Sequence, residues 1–146
     1  MANDLVFSSE ESAMDVDRVH RWLSEESYWA RGRTREAHDA AMAGSRNYGV
    51  FDGDGGPQLG YARAITDGAT FAWIADVFVA PEARGRGVGS RIMQGIIDDL
   101  EPLGLKRTAL FTEDAHSLYE KFGFQRLTDP ESWMLRWGRG YEPSRE

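Results

Sequence analysis

A turn rich in glycine and arginine is the part of the sequence with the clearest capacity for chemistry. It reads Arg84-Gly85-Arg86-Gly87-Val88-Gly89-Ser90. Glycines at alternating positions let the backbone adopt positive φ and come close to an anion. A helix that begins at such a turn directs unpaired backbone N–H groups and the positive end of its dipole at one point. The turn therefore predicts a phosphate-binding site, to which Arg84 and Arg86 add positive charge.

The same turn lacks the features of two common nucleotide-binding motifs. It has neither the Gly-Lys-Ser/Thr ending of a P-loop nor the Gly-x-Gly-x-x-Gly of a dinucleotide fold. Two interpretations stay open from these residues alone: a phosphate turn of another kind, or a solvent-exposed glycine-rich helix start that binds nothing.

A buried strand and an amphipathic helix must position this turn. Residues 70–79 are apolar on both alternating faces, which is typical of a central strand covered on both sides. Pro81 ends the strand. After the turn, one helical face carries Ile92, Met93, Ile96, Ile97 and Leu100.

The remaining sequence alternates between helical and strand patterns. The predicted elements are a strand at 5–7, a helix with Asp15 as its N-cap, a helix over 34–44, a hairpin around 52–57, a strand at 106–112, a helix at 114–122 with Gly123 as its left-handed C-cap, and a last strand at 133–137. This order favours an α+β fold with helices packed on a mostly antiparallel sheet. We expect one domain over 1–146, with a frayed tail at 138–146.

Composition limits the class of protein. The chain has 146 residues, 41% of them hydrophobic, which is enough for one core. It has no cysteine, and its three histidines show no metal-ligand spacing, so we expect no disulfide and no metal. The formal net charge of −7 argues against a nucleic-acid partner and is compatible with an amine-bearing one. No apolar stretch is long enough to cross a membrane and no signal peptide is evident, so we expect no membrane partner and a cytoplasmic location.

A second motif follows the turn, and it reads Leu118-Tyr119-Glu120-Lys121-Phe122-Gly123-Phe124. With both motifs present in this order, the sequence resembles the GNAT (GCN5-related) N-acetyltransferases. Their coenzyme motif, Arg/Gln-x-x-Gly-x-Gly/Ala, is matched by Arg84, Gly87 and Gly89, and their second signature is Leu-Tyr-x-Lys-x-Gly-Phe. The resemblance covers about residues 46–137, and residues 77–82 look like the end of the family's fourth strand.

The resemblance implies a mixed, mostly antiparallel sheet of six or seven strands, flanked by about four helices and splayed between strands 4 and 5. It implies acetyl-CoA as co-substrate, with its pantetheine along the backbone of Val77, Phe78 and Val79 and its pyrophosphate on residues 84–90. Many members have an asparagine where this chain has Thr112, whose hydroxyl can replace the amide in one pantetheine hydrogen bond.

The family mechanism is direct attack of a neutral amine on the thioester, and Tyr119 matches its general acid. The alternative for Tyr119 is an ordinary core tyrosine at helical spacing. An alkylammonium must lose a proton before attack, and Asp76 is the first candidate for the base because it interrupts an apolar strand face, where burial raises a carboxyl pKa. Asp76 can instead accept backbone hydrogen bonds at a strand distortion. His116 is the second candidate, although a histidine there is equally a surface or capping residue.

The segment 27–33 lies where family members commonly build the lid of the acceptor site. Tyr28 and Trp29 are candidates for the pocket lining, and Arg33 for binding an acceptor carboxylate. Nearby glutamates offer a simpler explanation for Arg33, namely surface ion pairs with Glu25, Glu26 and Glu36. Arg63 and Asp67 are further candidates for the pocket wall.

The function expected from the sequence is transfer of acetyl from acetyl-CoA to the primary amine of a small molecule in a ternary complex. The alternatives are a peptide or protein N-acetyltransferase and a non-catalytic CoA-binding regulatory module. An exposed final strand with Trp133 and Trp137 would suit the edge of a homodimer.

Overall fold

The computed structural model describes residues 4–141. Its centre is a five-stranded sheet in which the strands lie in chain order. The strands are β1 (Leu5–Ser8), β2 (Arg46–Asp52), β3 (Gln58–Thr66), β4 (Phe71–Val79) and β5 (Arg107–Leu110). Neighbours are antiparallel except β4 and β5, which are parallel because the chain crosses over between them through a helix.

Four α-helices flank the sheet: α1 (Val16–Arg21), α2 (Arg35–Ala43), α3 (Val88–Leu100) and α4 (His116–Glu120). Helix α1 continues directly into a π-helical turn at Trp22–Glu26. The predicted cap at Asp15 is confirmed, since its carboxylate accepts from the N–H of Arg18. At the start of α2 the Thr34 hydroxyl accepts from the N–H of Ala37 in the same way. In the described residues no helix has the length and apolar character needed to cross a membrane.

The main core lies between α3 and the sheet. Val88, Ile92, Met93 and Ile96 on one face of α3 are fully buried, and α3 packs across β1 to β4. This is the apolar stripe that the helical spacing predicts. The helix holds the turn at its N-terminus against the end of β4.

The sheet opens beyond the first half of β4. Pairing with β5 runs from the Phe71 and Arg107 pair to the Ile74 and Leu110 pair, whereas β4 itself continues to Val79. The remaining half of β4 is paired on the β3 side alone. The gap between β4 and β5 is the splay that the family resemblance implies.

Three expectations about the sheet are corrected. The described residues contain five strands, not six or seven. Residues 133–137 are not a strand, because no neighbouring strand pairs with them and their apolar side chains, such as Met134, lie exposed. The strand predicted at 106–112 is shorter, as is the helix predicted at 114–122. Of the predicted tail, residues 138–141 contain a turn in which the Tyr141 N–H bonds to the Gly138 carbonyl, and 142–146 lie outside the described residues.

We predict that Gly95→Ala lowers stability. A Cβ at position 95 would lie 2.2 Å from the ring of Phe7, which stacks on Tyr48 and is covered by Arg91. Alanine gains about 1 kcal/mol of helix propensity over glycine, but overpacking of a core costs about 1–3 kcal/mol. The expected net result is a lower free energy of unfolding in urea titration. Gly44→Ala is the control, because its Cβ would be 3.6 Å from the nearest atom, an ordinary contact. A Gly95→Ala variant as stable as the wild type would contradict this packing.

Candidate active site

A cavity of about 320 Å³ lies at the gap between β4 and β5. The acceptor loop, which we define as residues 27–33, covers one side of it, and Tyr119 of α4 lines another. Eight of the residues singled out in the sequence line it: Tyr28, Trp29, Arg33, Arg63, Asp76, Val77, Thr112 and Tyr119. The fold thus brings together side chains from five separate parts of the chain.

Asp76 occupies a bulge in β4. The register between β3 and β4 shifts next to it, and its backbone has φ of +56°, a left-handed conformation that few residues other than glycine adopt. Aspartate tolerates this conformation better than most residues. The bulge lies just past the last residue of β4 that pairs with β5, so the strand distortion and the opening of the sheet coincide.

The Asp76 carboxylate is the centre of a buried ionic cluster. Its Oδ2 accepts from Arg33 Nη1 at 2.6 Å and from Arg63 Nε at 2.6 Å. Its Oδ1 accepts from the indole N–H of Trp29 at 2.8 Å. The carboxylate side chain is 2% exposed, compared with 20% for Arg33 and 12% for Arg63. Arg33 therefore pairs with Asp76 and not with the neighbouring glutamates.

The expected rise in the pKa of Asp76 is wrong. Burial alone acts in that direction, but the hydrogen bond from Arg33 and the positive charges of Arg63 and Arg33 outweigh it, so the pKa lies below its ordinary value. The carboxylate is ionised at neutral pH and is a weak proton acceptor. Its partners here are side chains, which also differs from the alternative of backbone hydrogen bonds.

Local interactions hold the acceptor loop in place. The Ser27 hydroxyl donates to the Leu23 carbonyl at the end of the π-helical turn and accepts from the Ala30 N–H. The ring of Tyr28 meets the ring of Trp29 edge-on at 4.9 Å. At the other end of the loop, His20 Nε2 of α1 donates to the Arg33 carbonyl at 2.7 Å. These contacts fix the side chains that reach Asp76.

Tyr119 lies on α4 with 8% of its surface exposed. Burial raises its pKa to about 12, and the nearby Tyr28 and Asp114 act in the same direction. Its hydroxyl has no hydrogen-bond partner among residues 4–141, and the side chain lines the cavity. A phenol that stays protonated and faces a cavity is able to donate a proton there.

The turn at 84–90 presents a row of unused backbone donors. Gly85 and Gly87 have φ of +88° and +82°, and α3 begins at Val88 without a capping side chain. The first helical hydrogen bond runs from the Arg91 N–H to the Gly87 carbonyl at 2.9 Å. Within the described chain, no partner is recorded for the N–H groups of Gly85, Gly87, Val88, Gly89 and Ser90. A Cβ at Gly85 or Gly87 would meet nothing within 4 Å, so the space beside these amides is open.

The arginines and the last glycine of this turn have protein contacts of their own. Arg84 Nε donates to the Val79 carbonyl at 3.3 Å, and its guanidinium lies 5.7 Å from the ring centre of Phe78. Arg86 bonds to Asp52 at 3.1 Å. A Cβ at Gly89 would lie 3.4 Å from Leu118 of α4, so this glycine brings α3 close to the second motif.

The sequence model of the acetyltransferase (GNAT) family matches residues 16–124. The chain belongs to this family. A solved structure of a proposed GNAT acetyltransferase from Xanthomonas campestris pv. campestris has a TM-score of 0.86 and 38% sequence identity, over 94% of this chain and 95% of that chain. The proposed acetyltransferase FG08082 of Gibberella zeae is 29% identical over 81% of this chain and 77% of its own length. Serotonin N-acetyltransferase 2 of Oryza sativa subsp. japonica, a chloroplastic protein, is 33% identical over 53% of this chain and 38% of its own length.

In this GNAT fold two predicted site residues lie away from the cavity. His116 is the first residue of α4, half-buried, and it does not line the cavity. Asp67 lies in the turn between β3 and β4, where its carboxylate accepts from the N–H groups of Ala69 and Thr70. Thr112 does line the cavity, and its hydroxyl accepts from the Ala115 N–H at 3.0 Å, which leaves its own proton available to a ligand.

Several residues of the GNAT site were not predicted from the sequence. Trp73, Phe111 and Asp114 line the cavity. Trp73 belongs to the apolar alternation of β4, and its pattern does not separate a cavity wall from a core residue. His20 had no signal either, because its contact with the Arg33 carbonyl depends on how the acceptor loop folds back on α1.

We predict that Asp76→Asn destabilises this GNAT domain at neutral pH. The amide would leave two partly buried guanidiniums without a counter-charge, and removal of one partner from a buried ion pair costs about 3–5 kcal/mol. The lowered pKa adds a second signature. The stability that ionised Asp76 contributes is complete above its pKa in the unfolded chain, about 4, and is lost as pH falls through its pKa in the folded protein. The Asn variant should therefore lack that part of the acid dependence of stability.

Urea unfolding at several pH values measures both effects. Asp39→Asn is the control, because it removes a carboxylate from an exposed pair with Arg35 and should change stability little. An Asp76→Asn variant with wild-type stability and wild-type acid dependence would show that the cluster does not stabilise the fold.

Proposed function

We propose that this acetyltransferase uses acetyl-CoA to acetylate the primary amine of a small molecule, by direct attack within a ternary complex. The observation that carries the proposal is the single cavity at the sheet opening, which is lined by the acceptor loop on one side and by Tyr119 on the other. Family membership supports acetyl transfer itself.

The chain offers a consistent set of groups for the coenzyme. We assign the pyrophosphate to the unpaired N–H groups of the 84–90 turn, where the N-terminus of the 13-residue α3 adds a favourable dipole. We assign the pantetheine to the backbone of Val77, Phe78 and Val79, which no strand pairs with on the β5 side, and to the free proton of the Thr112 hydroxyl. An N–H of this β4 segment would stabilise negative charge on the thioester oxygen.

Tyr119 is the general acid of the proposed reaction. Its pKa of about 12 keeps the phenol protonated at neutral pH, so it can donate to the departing thiolate. A thiol has an ordinary pKa of about 8.5, so the leaving group needs only modest assistance.

Asp76 is better assigned a positioning role than the role of the base. An ionised carboxylate with a lowered pKa and two arginine partners holds a proton poorly. It connects Trp29 and Arg33 of the acceptor loop to the sheet through Arg63, and so shapes the pocket in which the amine must lie. His116 does not line the cavity, so we do not assign it the proton either.

The shape of the cavity favours a small acceptor over a peptide. Tyr28 and Trp29 form an aromatic lid, and the volume of about 320 Å³ is at the lower end for ligand pockets. One relative, serotonin N-acetyltransferase 2, is named for a small-molecule acceptor.

A single domain over 1–146, a homodimer and a cytoplasmic location stay predictions from the sequence.

Calorimetric titration with acetyl-CoA and CoA, followed by an amine-library screen for release of free CoA, tests the function. We expect binding of both coenzyme forms and turnover of a subset of small amines. Tyr119→Phe should lower kcat about 10²- to 10³-fold, the usual effect of losing one acid–base group, with acetyl-CoA affinity nearly unchanged. Tyr28→Phe is the matched control, since it removes a hydroxyl from the same cavity. Coenzyme binding without turnover of any amine would support a regulatory module, and no binding would refute the proposal.

The pH dependence of kcat/KM tests whether a protein side chain or water takes the proton of the acceptor amine. Among the described residues the cavity lining includes no histidine, and in the proposed reaction the amine loses its proton to water. We expect kcat/KM to rise about tenfold per pH unit from about pH 6 toward the pKa of the acceptor, near 10 for an alkylamine. His116→Ala should leave this profile unchanged. A plateau that begins near pH 7 and disappears in His116→Ala would restore the histidine as the base.

A further inference from the structure

The ionic cluster in the cavity has an excess of positive charge. Arg33 and Arg63 both bond to the same oxygen of Asp76, and the indole N–H of Trp29 takes the other oxygen. One carboxylate cannot neutralise two guanidiniums, so the group of three has a net charge of +1. Asp114 is the only other acidic residue among the described lining residues.

The two arginines also have N–H groups to spare. A guanidinium has five N–H donors, whereas Arg33 uses only Nη1, and Arg63 uses Nε and Nη1, the latter to Ser45. The Nε and Nη2 groups of Arg33 and the Nη2 group of Arg63 have no hydrogen-bond partner within residues 4–141. These nitrogens are not sealed in the core, because the fully enclosed unpaired side-chain atoms of the described chain are those of His38. Both arginines line the cavity.

Asp76 does not compete with a ligand for these donors. Its side chain is 2% exposed and its oxygens already accept three hydrogen bonds, so little of the carboxylate is left for a ligand. The donors left for an acceptor in the cavity are the unpaired N–H groups of Arg33 and Arg63. A planar group with two negatively charged oxygens matches such donors in charge and in geometry.

The opposite charge lies near the reacting tyrosine. Asp114 lines the cavity and is close enough to raise the pKa of both Tyr28 and Tyr119. An ammonium group is therefore favoured beside Tyr119, while an anion is favoured beside Arg33. The cavity has complementary charge for both ends of a zwitterion.

We propose that the acceptor is an amino carboxylate, a small molecule with its amine near Tyr119 and its carboxylate on Arg33 and Arg63. This inference rests on the proposed function and names the substrate class of the same site. The cavity of about 320 Å³ has room for an acceptor of about the size of a single amino acid or a simple derivative.

Matched acceptors test the carboxylate. Each set contains an amino acid, its amide and its decarboxylated amine, for example tyrosine, tyrosinamide and tyramine, or 4-aminobutyrate, its amide and propylamine. Each rate is divided by the fraction of the acceptor whose amine is neutral at the assay pH, and the resulting values are compared. We expect the carboxylate to raise kcat/KM about 10- to 100-fold in at least one set, the range for a charged hydrogen-bonded pair. Equal or better use of the amide and the amine in every set would overturn the proposal.

Arg33→Gln tests the residue. It leaves Asp76 paired with Arg63, so the cluster becomes neutral and no buried charge is left without a partner. The preference for the carboxylated member should fall toward unity through its KM, with KM for acetyl-CoA unchanged. Arg31→Gln is the control, since Arg31 lies on the same loop, bonds to the Glu25 carbonyl and does not line the cavity. An undiminished preference in Arg33→Gln would overturn the assignment.

A binding measurement separates this proposal from the proposed function. Calorimetry of the same acceptor sets with the CoA complex gives the affinity ratio without any need for turnover. Tighter binding of the amino carboxylate supports the inference, and equal binding refutes it. Failure to acetylate any amine refutes the proposed function alone.

Discussion

The candidate site depends on one buried carboxylate. Asp76 occupies a left-handed position in the central strand, and from there it holds a loop residue of the helical layer and a residue of the neighbouring strand on the same oxygen. Such a conformation costs about 1–3 kcal/mol and persists only where the surroundings determine it. Here the surroundings are three charge-assisted or polar hydrogen bonds, so the strained backbone and the ionic cluster require each other.

The location of this cluster explains why the sheet opens where it does. The bulge ends the regular register of β4 directly after the last residue that pairs with β5. Past this point β4 keeps β3 as its neighbour, and α3 packs across β1 to β4 from one side. The protein can therefore expose strand backbone at the gap without loosening the core.

The parts of the structure that depend on neighbours in sequence were predictable. The cap Asp15, the left-handed Gly123 and the start of α3 after Gly87 follow from local backbone requirements. Contacts over long sequence separations were not. Nearby glutamates suggested surface ion pairs for Arg33, but its partner, Asp76, is 43 residues away. Arg33 and Arg63 together reverse the pKa shift that burial alone predicts for that carboxyl. The strand expected at 133–137 failed for a related reason, since apolar alternation cannot supply the neighbouring strand on which a strand depends.

Gly89 has a consequence for how the two motifs behave. Its missing side chain lets the first turn of α3 approach Leu118 of α4, so the backbone of the turn at 84–90 and the helix that holds Tyr119 share a contact surface. A shift of either helix would therefore displace the other. The two sequence motifs pack against each other, so the side chain at position 118 has to fit against a residue without a side chain at position 89.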